Sequence, residues 1–318
     1  MKESKVSLAT LSCPPAGGAP STPAQVACLP DTTALPVALR PLCAALFEVF
    51  QALPKPLAIA CSGGLDSRFL AFMAHLMGFL PHLVHVSGPH VPLDETKAAL
   101  SFAEACKLQC TVIASDPLAI PEVACNSRER CYHCKKFIFS HIGQEFPGYT
   151  LCDGSHRADS KGYRPGMRAL KELGIISPLA EAGFAKHEIR LMAAHCAMEN
   201  PGQKARPCLF TRFPYGFFPT AQQMHLLAQA EEHIFALLAY RYRADLPDFR
   251  LRYIAKDILE LHIEQSQTLP LDPDMREALR NAAWQANPAM ARPEIVFVDS
   301  LSGFFDRLEG LGGAAQPK

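Results

Sequence analysis

Three groups of residues in this chain have types and spacings that can do chemistry. The first is Ser62-Gly63-Gly64-Leu65-Asp66-Ser67. Two glycines let a backbone bend sharply and approach a ligand without a Cβ in the way. The hydroxyls of Ser62 and Ser67, with the free N–H groups of a following helix, can then hold an anion where the helix dipole favours negative charge. That is the chemistry of a pyrophosphate cradle. It is not a Walker loop, because the Gly-x-x-x-x-Gly-Lys-Ser/Thr spacing and its lysine are absent. The bland alternative is a plain connecting turn. The second group is Cys131-x-x-Cys134, two thiols on one face of a helix start. Such a pair can be redox-active, can bind metal, or can be coincidence in a chain with 12 cysteines. There is no second Cys-x-x-Cys, so a metal would need further ligands from elsewhere. The third is Cys208, in a loop with three prolines and between Arg206 and Arg212. Nearby cations lower a thiol's pKa, and a buried structural thiol is rarely placed in so polar a segment. Asp153 and Asp159, at and after the end of a short apolar run, are candidate Mg²⁺ or ribose contacts, or else members of solvated Asx turns.

These groups need elements to position them. Pro56 to Cys61 reads as a buried strand, and Arg68 to Met77, closed by Gly78, as a helix, so the Ser-Gly-Gly turn falls at a strand-to-helix junction. Strands are expected at 82–87, 110–114 and 149–154, with helices at 37–53, 92–108, 131–145, 167–173 and 185–198. His82 and His85 alternate with apolar residues and read as core-edge histidines. Ile176 to Leu179 reads as a short extended piece. Strands alternating with helices at this interval predict an α/β fold with a parallel sheet, and a ligand beyond the carboxyl ends of its strands. Further on, a helix is expected over 220–241, a half-exposed strand from Phe249 continuing toward Ile263, a helix over 274–287 and a strand over 293–298. Together these predict a small C-terminal α+β appendage. The expected division is a flexible extension over 1–36, the main domain over 37–216 and the appendage over 217–318, with a frayed Gly-Gly-Ala-Ala tail.

Hydrophobic residues make up 49% of the 318 and charged ones 19%, which allows a sizeable core and excludes wholesale disorder. The 31 basic residues balance 31 acidic ones, and a nucleic-acid partner would call for a basic excess. No apolar run reaches membrane-spanning length and the N-terminus lacks a signal pattern, so the expectation is a soluble, cytoplasmic protein with no membrane association. In a reducing compartment the cysteines are thiols. Cys61, Cys106, Cys110, Cys152 and Cys196 lie in apolar patterns and read as small buried hydrophobes.

The order Ser-Gly-Gly-x-Asp-Ser resembles the PP-loop of the ATP pyrophosphatases (adenine nucleotide α-hydrolase-like), which cleave ATP between the α and β phosphates. More segments extend the likeness: Glu95 to Ala105, Arg130-Cys131-Tyr132-x-Cys134-Lys135-Lys136, Asp153-Gly154 to Tyr163-Arg164-Pro165-Gly166, Ser177-Pro178-Leu179, Lys186-x-Glu188-Ile189-Arg190, and Cys208-Leu209-x-Thr211-Arg212-Phe213-Pro214-Tyr215-Gly216. From about residue 55 to about 300 the chain resembles the LarE family of ATP-dependent sacrificial sulfur transferases, which serve synthesis of the nickel-pincer nucleotide of lactate racemase. The resemblance implies ATP and Mg²⁺ as cofactors and a pyridinium-3,5-dicarboxylate mononucleotide as substrate. It also implies assembly into homo-oligomers. ATP would bind at Ser62, Gly63, Gly64, Asp66 and Ser67, with Asp153 and Arg212, and Asp159 would reach Mg²⁺. ATP would adenylate the substrate carboxylate. Sulfur would come from Cys208 itself, leaving dehydroalanine, or from a [4Fe–4S] cluster held by Cys131, Cys134 and Cys208 with one iron open. The chain departs from the pattern at Ser155, His156 and Ala158, where one metal carboxylate is missing, and at Arg206-Pro207 before the cysteine.

Two other readings compete. A different PP-loop activity, tRNA thiolation or amidation of the NAD or GMP synthetase kind, would call for an RNA-binding basic module or an ammonia source. A non-catalytic carrier of an iron–sulfur cluster or nucleotide would release no pyrophosphate.

Overall fold

Short apolar runs and the helices between them build the first half of the chain. After α1 (Arg40–Ala52) come β1 (Leu57–Ala60), α2 (Leu65–Leu76), β2 (His82–Ser87), α3 (Leu93–Ala105) and β3 (Cys110–Ala114). They are followed by α4 (Pro121–Ala124), α5 (Arg130–Glu145), β4 (Thr150–Cys152), α6 (Pro165–Glu172), α7 (Pro178–Glu181) and α8 (Lys186–His195). The computed structural model describes residues 27–160, 164–242, 246–265, 271–286, 288 and 292–310. Most of the extension expected over 1–36, and the tail expected to fray, lie outside the described residues. Where description begins, Cys28 N–H already bonds the Met77 carbonyl at 3.2 Å and Leu35 is buried.

By packing, the chain divides into two compact units. Met1–Gly88, Asp94–Ser115 and Cys131–Arg206 form the first, and Pro89–Leu93, Asp116–Arg130 and Pro207–Lys318 the second. In the first unit the four strands are all parallel in the order β3-β2-β1-β4. A strand's side chains alternate between faces, and both faces here are covered. Leu57 and Ile59 of β1 and Leu83 of β2 join α1, α2, α3 and α8 through Phe50, Phe69, Phe102 and Met192. Ala58 and Val84, one residue on, meet Phe139, Ile142 and Leu170 of α5 and α6. Double coverage explains why the strands read as apolar runs. The chain leaves β1 toward β2 on one side and returns as β4 on the other, so the turn after β1 lies at the point where strand order reverses, the usual place for a ligand in such sheets.

The second unit carries α9 (Ala221–Tyr242), β5 (Phe249–Ala255), β6 (Ile258–Glu264), α10 (Pro273–Ala286), β7 (Glu294–Val298) and α11 (Phe304–Leu308). β5 and β6 pair antiparallel, and α10 carries the chain to β7, which lies parallel to β6. The expected single strand from Phe249 toward Ile263 is therefore a hairpin. Its turn has no glycine, proline or asparagine to betray it. Asp257 instead takes φ +63°, which aspartate tolerates better than most residues. Nor is β5 half-exposed: Arg250 and Arg252 are buried with their apolar neighbours. The extended piece at 176–179 is also shorter than expected. Ile176 bridges to Cys152, and Pro178 then opens α7 at the position where its missing N–H costs nothing. Among the described residues no helix is long and apolar enough to cross a membrane.

Candidate functional site

The Ser-Gly-Gly turn leaves β1 at its carboxyl end and closes on itself. Ser67 Oγ accepts from Ser62 N–H at 3.1 Å and donates to the Gly64 carbonyl at 3.1 Å. Ser62 Oγ lies 3.2 Å from Ser67 Oγ and accepts from Gly64 N–H at 3.3 Å. The first intrahelical bond of α2 is Arg68 N–H to Gly64 O, and no side chain caps the helix start, so the N–H groups of its opening turn remain for a ligand. Gly63 has φ +89°, and a Cβ there would fall 1.9 Å from the Glu95 carbonyl oxygen; only glycine satisfies both conditions. From the end of β4, Gly154 presses on the same turn, where a Cβ would sit 2.8 Å from Ser67 N.

Around this turn the first unit gathers most of the expected residues. Asp66 is paired with Lys186 of α8 at 2.6 Å, which brings a cation to the mouth of the turn. Asp153 is buried, and its carboxylate accepts from Ser155 Oγ at 2.5 Å, Ser155 N–H at 3.2 Å and Ser177 Oγ at 2.6 Å. Lys135 of α5 stands 3.7 Å from it. Asp159 accepts from His156 N–H at 3.0 Å and pairs with Arg164 at 2.8 Å. These aspartates are thus engaged by protein partners, and the short-range Ser155–Asp153 bond is an Asx turn.

Two supports escaped the motif reading. Arg68 is buried and donates from Nε to the Gly63 carbonyl at 3.1 Å, from Nη1 to Glu199 O at 3.3 Å, and from Nη2 to Gln203 Oε1. Gln203 Nε2 donates to the same Gly63 carbonyl at 3.2 Å and to Glu95 Oε1 at 3.4 Å. Little local marks them: Arg68 is five residues from Gly63, but the contacts of Arg68 with Glu199 and Gln203, and of Gln203 with Gly63 and Glu95, span more than 100 residues of sequence. Glu95 is buried against the turn, and desolvation, followed by the neighbouring Asp94, pushes its pKa to about 8.

Cys131 and Cys134 lie in the first turns of α5, the first exposed and the second half-buried. Among the described residues no three His, Cys, Asp or Glu side chains form a group able to hold a metal ion. Cys208 lies in the second unit, half-buried, and its carbonyl accepts from Thr211 N–H at 3.0 Å and Thr211 Oγ1 at 2.8 Å. Arg212, expected at the nucleotide, is fully buried. Its Nε and Nη2 grip Glu231 at 3.0 and 2.8 Å, and its Nη1 donates to Pro207 O at 2.8 Å. All three of its nitrogens are engaged, and the Nη1 bond to Pro207 ties it to the cysteine loop. Arg206 pairs with Asp94 at 3.2 Å. Cys61, Cys106, Cys152 and Cys196 are buried as expected while Cys110 is only half-buried; burial pushes Cys61 and Cys196 up to about 11 and Cys152 to about 12. His85 is buried between Cys61 O at 2.8 Å and Thr96 Oγ1 at 3.1 Å.

A parallel sheet whose first strand ends in a Ser-Gly-Gly turn on an uncapped helix is the architecture of the PP-loop proteins. No family model matches the chain. It is 31% identical over 194 residues to the uncharacterized protein slr1717 of Synechocystis, across 59% of this chain and 72% of that one. It is 27% identical over 214 residues to the pyridinium-3,5-bisthiocarboxylic acid mononucleotide synthase of Lactiplantibacillus plantarum, across 66% of this chain and 75% of the synthase. With the uncharacterized protein MJ0830 of Methanocaldococcus jannaschii it shares 29% over 184 residues, 57% of this chain and 69% of that one. The chain belongs with these proteins to the LarE-type family of PP-loop proteins.

Proposed function

We propose that this protein is an ATP-dependent sulfur transferase acting on a carboxylate of pyridinium-3,5-dicarboxylate mononucleotide, with Cys208 as the sulfur donor. The observation that supports it most is the Ser62–Ser67 turn, whose uncapped N–H groups and flanking Lys186 suit a polyphosphate. The named synthase among its relatives supports the substrate class.

A carboxylate resists displacement until one oxygen becomes a leaving group. Attack of that oxygen on the α phosphorus, with cleavage of the bond to pyrophosphate, makes an acyl adenylate. Mg²⁺ entering with ATP would withdraw charge from the departing pyrophosphate. The turn's N–H groups and hydroxyls hold the same charge with no reorganisation. Cys208 thiolate then attacks the acyl carbon and AMP leaves, giving a thioester. Removal of the Cys208 Cα proton breaks the Cβ–S bond, so the thiocarboxylate departs and dehydroalanine remains.

The test is incubation with ATP, Mg²⁺ and the pyridinium dicarboxylate mononucleotide. Expected are pyrophosphate release and a loss of about 34 Da, one hydrogen sulfide, localised to position 208. Cys208→Ala should still release pyrophosphate and keep its mass. Product formation by Cys208→Ala would sink the assignment of the donor, and absence of pyrophosphate would sink the enzyme itself.

A further inference from the structure

Glu95 is a buried titratable side chain at the turn to which the chemistry above gives no task. It stands in the first turn of α3, pressed onto the loop. Its backbone fills the space a Cβ on Gly63 would need, and its Oε2 comes within 3.4 Å of the Cβ position of Gly64, the residue that precedes α2. The side chain is 5% exposed. Every charged group facing it is engaged elsewhere. Arg206 pairs with Asp94, Lys186 pairs with Asp66, and Arg68 donates to Gly63, Glu199 and Gln203. Asp94, the remaining charge, is of the same sign and adds to the cost of ionising Glu95. Among the described residues its hydrogen bonding comes to the 3.4 Å contact from Gln203.

An ionised carboxylate there would oppose the anion that the turn is shaped to hold. We propose that Glu95 is a phosphate-binding acid: protonated, it donates a hydrogen bond to a nucleoside triphosphate at the Ser62–Ser67 turn, and ionised, it repels one. The inference rests on reading that turn as a phosphate cradle. Desolvation, then Asp94, holds the carboxyl protonated up to about pH 8, so the proton is present under ordinary conditions and is lost above them. The fold loses stability for this. A folded pKa above the ordinary 4.5 means the folded chain holds a proton that the unfolded chain releases, so stability falls as pH rises from 4.5 toward about 8. A residue kept at such a cost beside a binding loop fits a binding role.

The test is calorimetry of MgATP binding to the full chain from pH 6.5 to 9.5, in buffers of different ionisation enthalpy, with Glu95→Gln alongside. The unaltered chain should take up close to one proton per ATP above pH 8.5, with affinity falling by up to about tenfold per pH unit there. Glu95→Gln, whose amide donates at every pH, should bind with no such uptake and a flat profile. An unaltered chain with a flat profile, or an uptake that survives in Glu95→Gln, overturns the proposal while leaving the cradle intact. Proton release on binding near pH 7 that the substitution removes also overturns it, because Glu95 would then be an ionised metal ligand. No ATP binding at any pH brings down the cradle and this inference together.

Discussion

Arg212 shows how little a residue's place in a motif says about its task. It lies four residues from Cys208, yet its guanidinium is fully buried and held through Nε and Nη2 by both carboxylate oxygens of Glu231. Burial alone would raise the Glu231 carboxyl; the Arg212 charge, its hydrogen bonds and Arg250 hold it low instead. Removing one partner of such a pair strands a charge in the interior and costs about 3–5 kcal/mol. Arg212→Met should lose that much in urea unfolding at pH 7. The deficit should shrink as pH falls toward 4. A carboxyl lowered in the native fold contributes stability above its unfolded pKa, whereas the stranded Glu231 of the variant is relieved once it takes a proton. An unchanged midpoint in Arg212→Met would mean the pair is not the anchor described here.

At the scale of elements, the cradle is a junction of three pieces: the end of β1, the start of α2, and the end of β4, whose Gly154 lies against the Ser67 backbone. A Cβ at 154 would meet Ser67 N at 2.8 Å and Ser67 Cα at 2.9 Å, and neither backbone atom can swing aside. Gly154→Ala should therefore push β4 and the α2 start apart. A loss of about 1–3 kcal/mol in stability is expected, together with a drop in ATP-dependent pyrophosphate release larger than that stability loss accounts for. Gly174→Ala is the control, because a Cβ there meets nothing within 4 Å, although its φ of +65° carries its own strain. If both variants lose the same stability and the same activity, the contact at Gly154 has no special part. Strands β2 and β3 were legible to the residue because alternation and length are local properties. The β5–β6 turn was not, since Lys256-Asp257 has no turn signature and only pairing with β6 reveals it.

For the molecule as a whole, the proposed donor role of Cys208 would leave dehydroalanine and make the protein a reagent consumed by its own reaction. Thiocarboxylate formed with ATP and no added sulfide should level off at one sulfur per chain, whatever the excess of substrate, as product quantified against protein will show. A yield well above that ceiling would mean that sulfur reaches the site from another source. What the sequence alone determined is the set of elements and the loop chemistry, because helix and strand periodicity and the freedom of glycine are written within a few neighbouring residues. The tertiary structure decided the roles. It buried Arg212 on Glu231, brought Gln203 back to Gly63, and left Glu95 against the turn with each nearby cation engaged by another group. Burial and charge pairing depend on residues tens to hundreds of positions apart, and only the folded chain sets which of them meet.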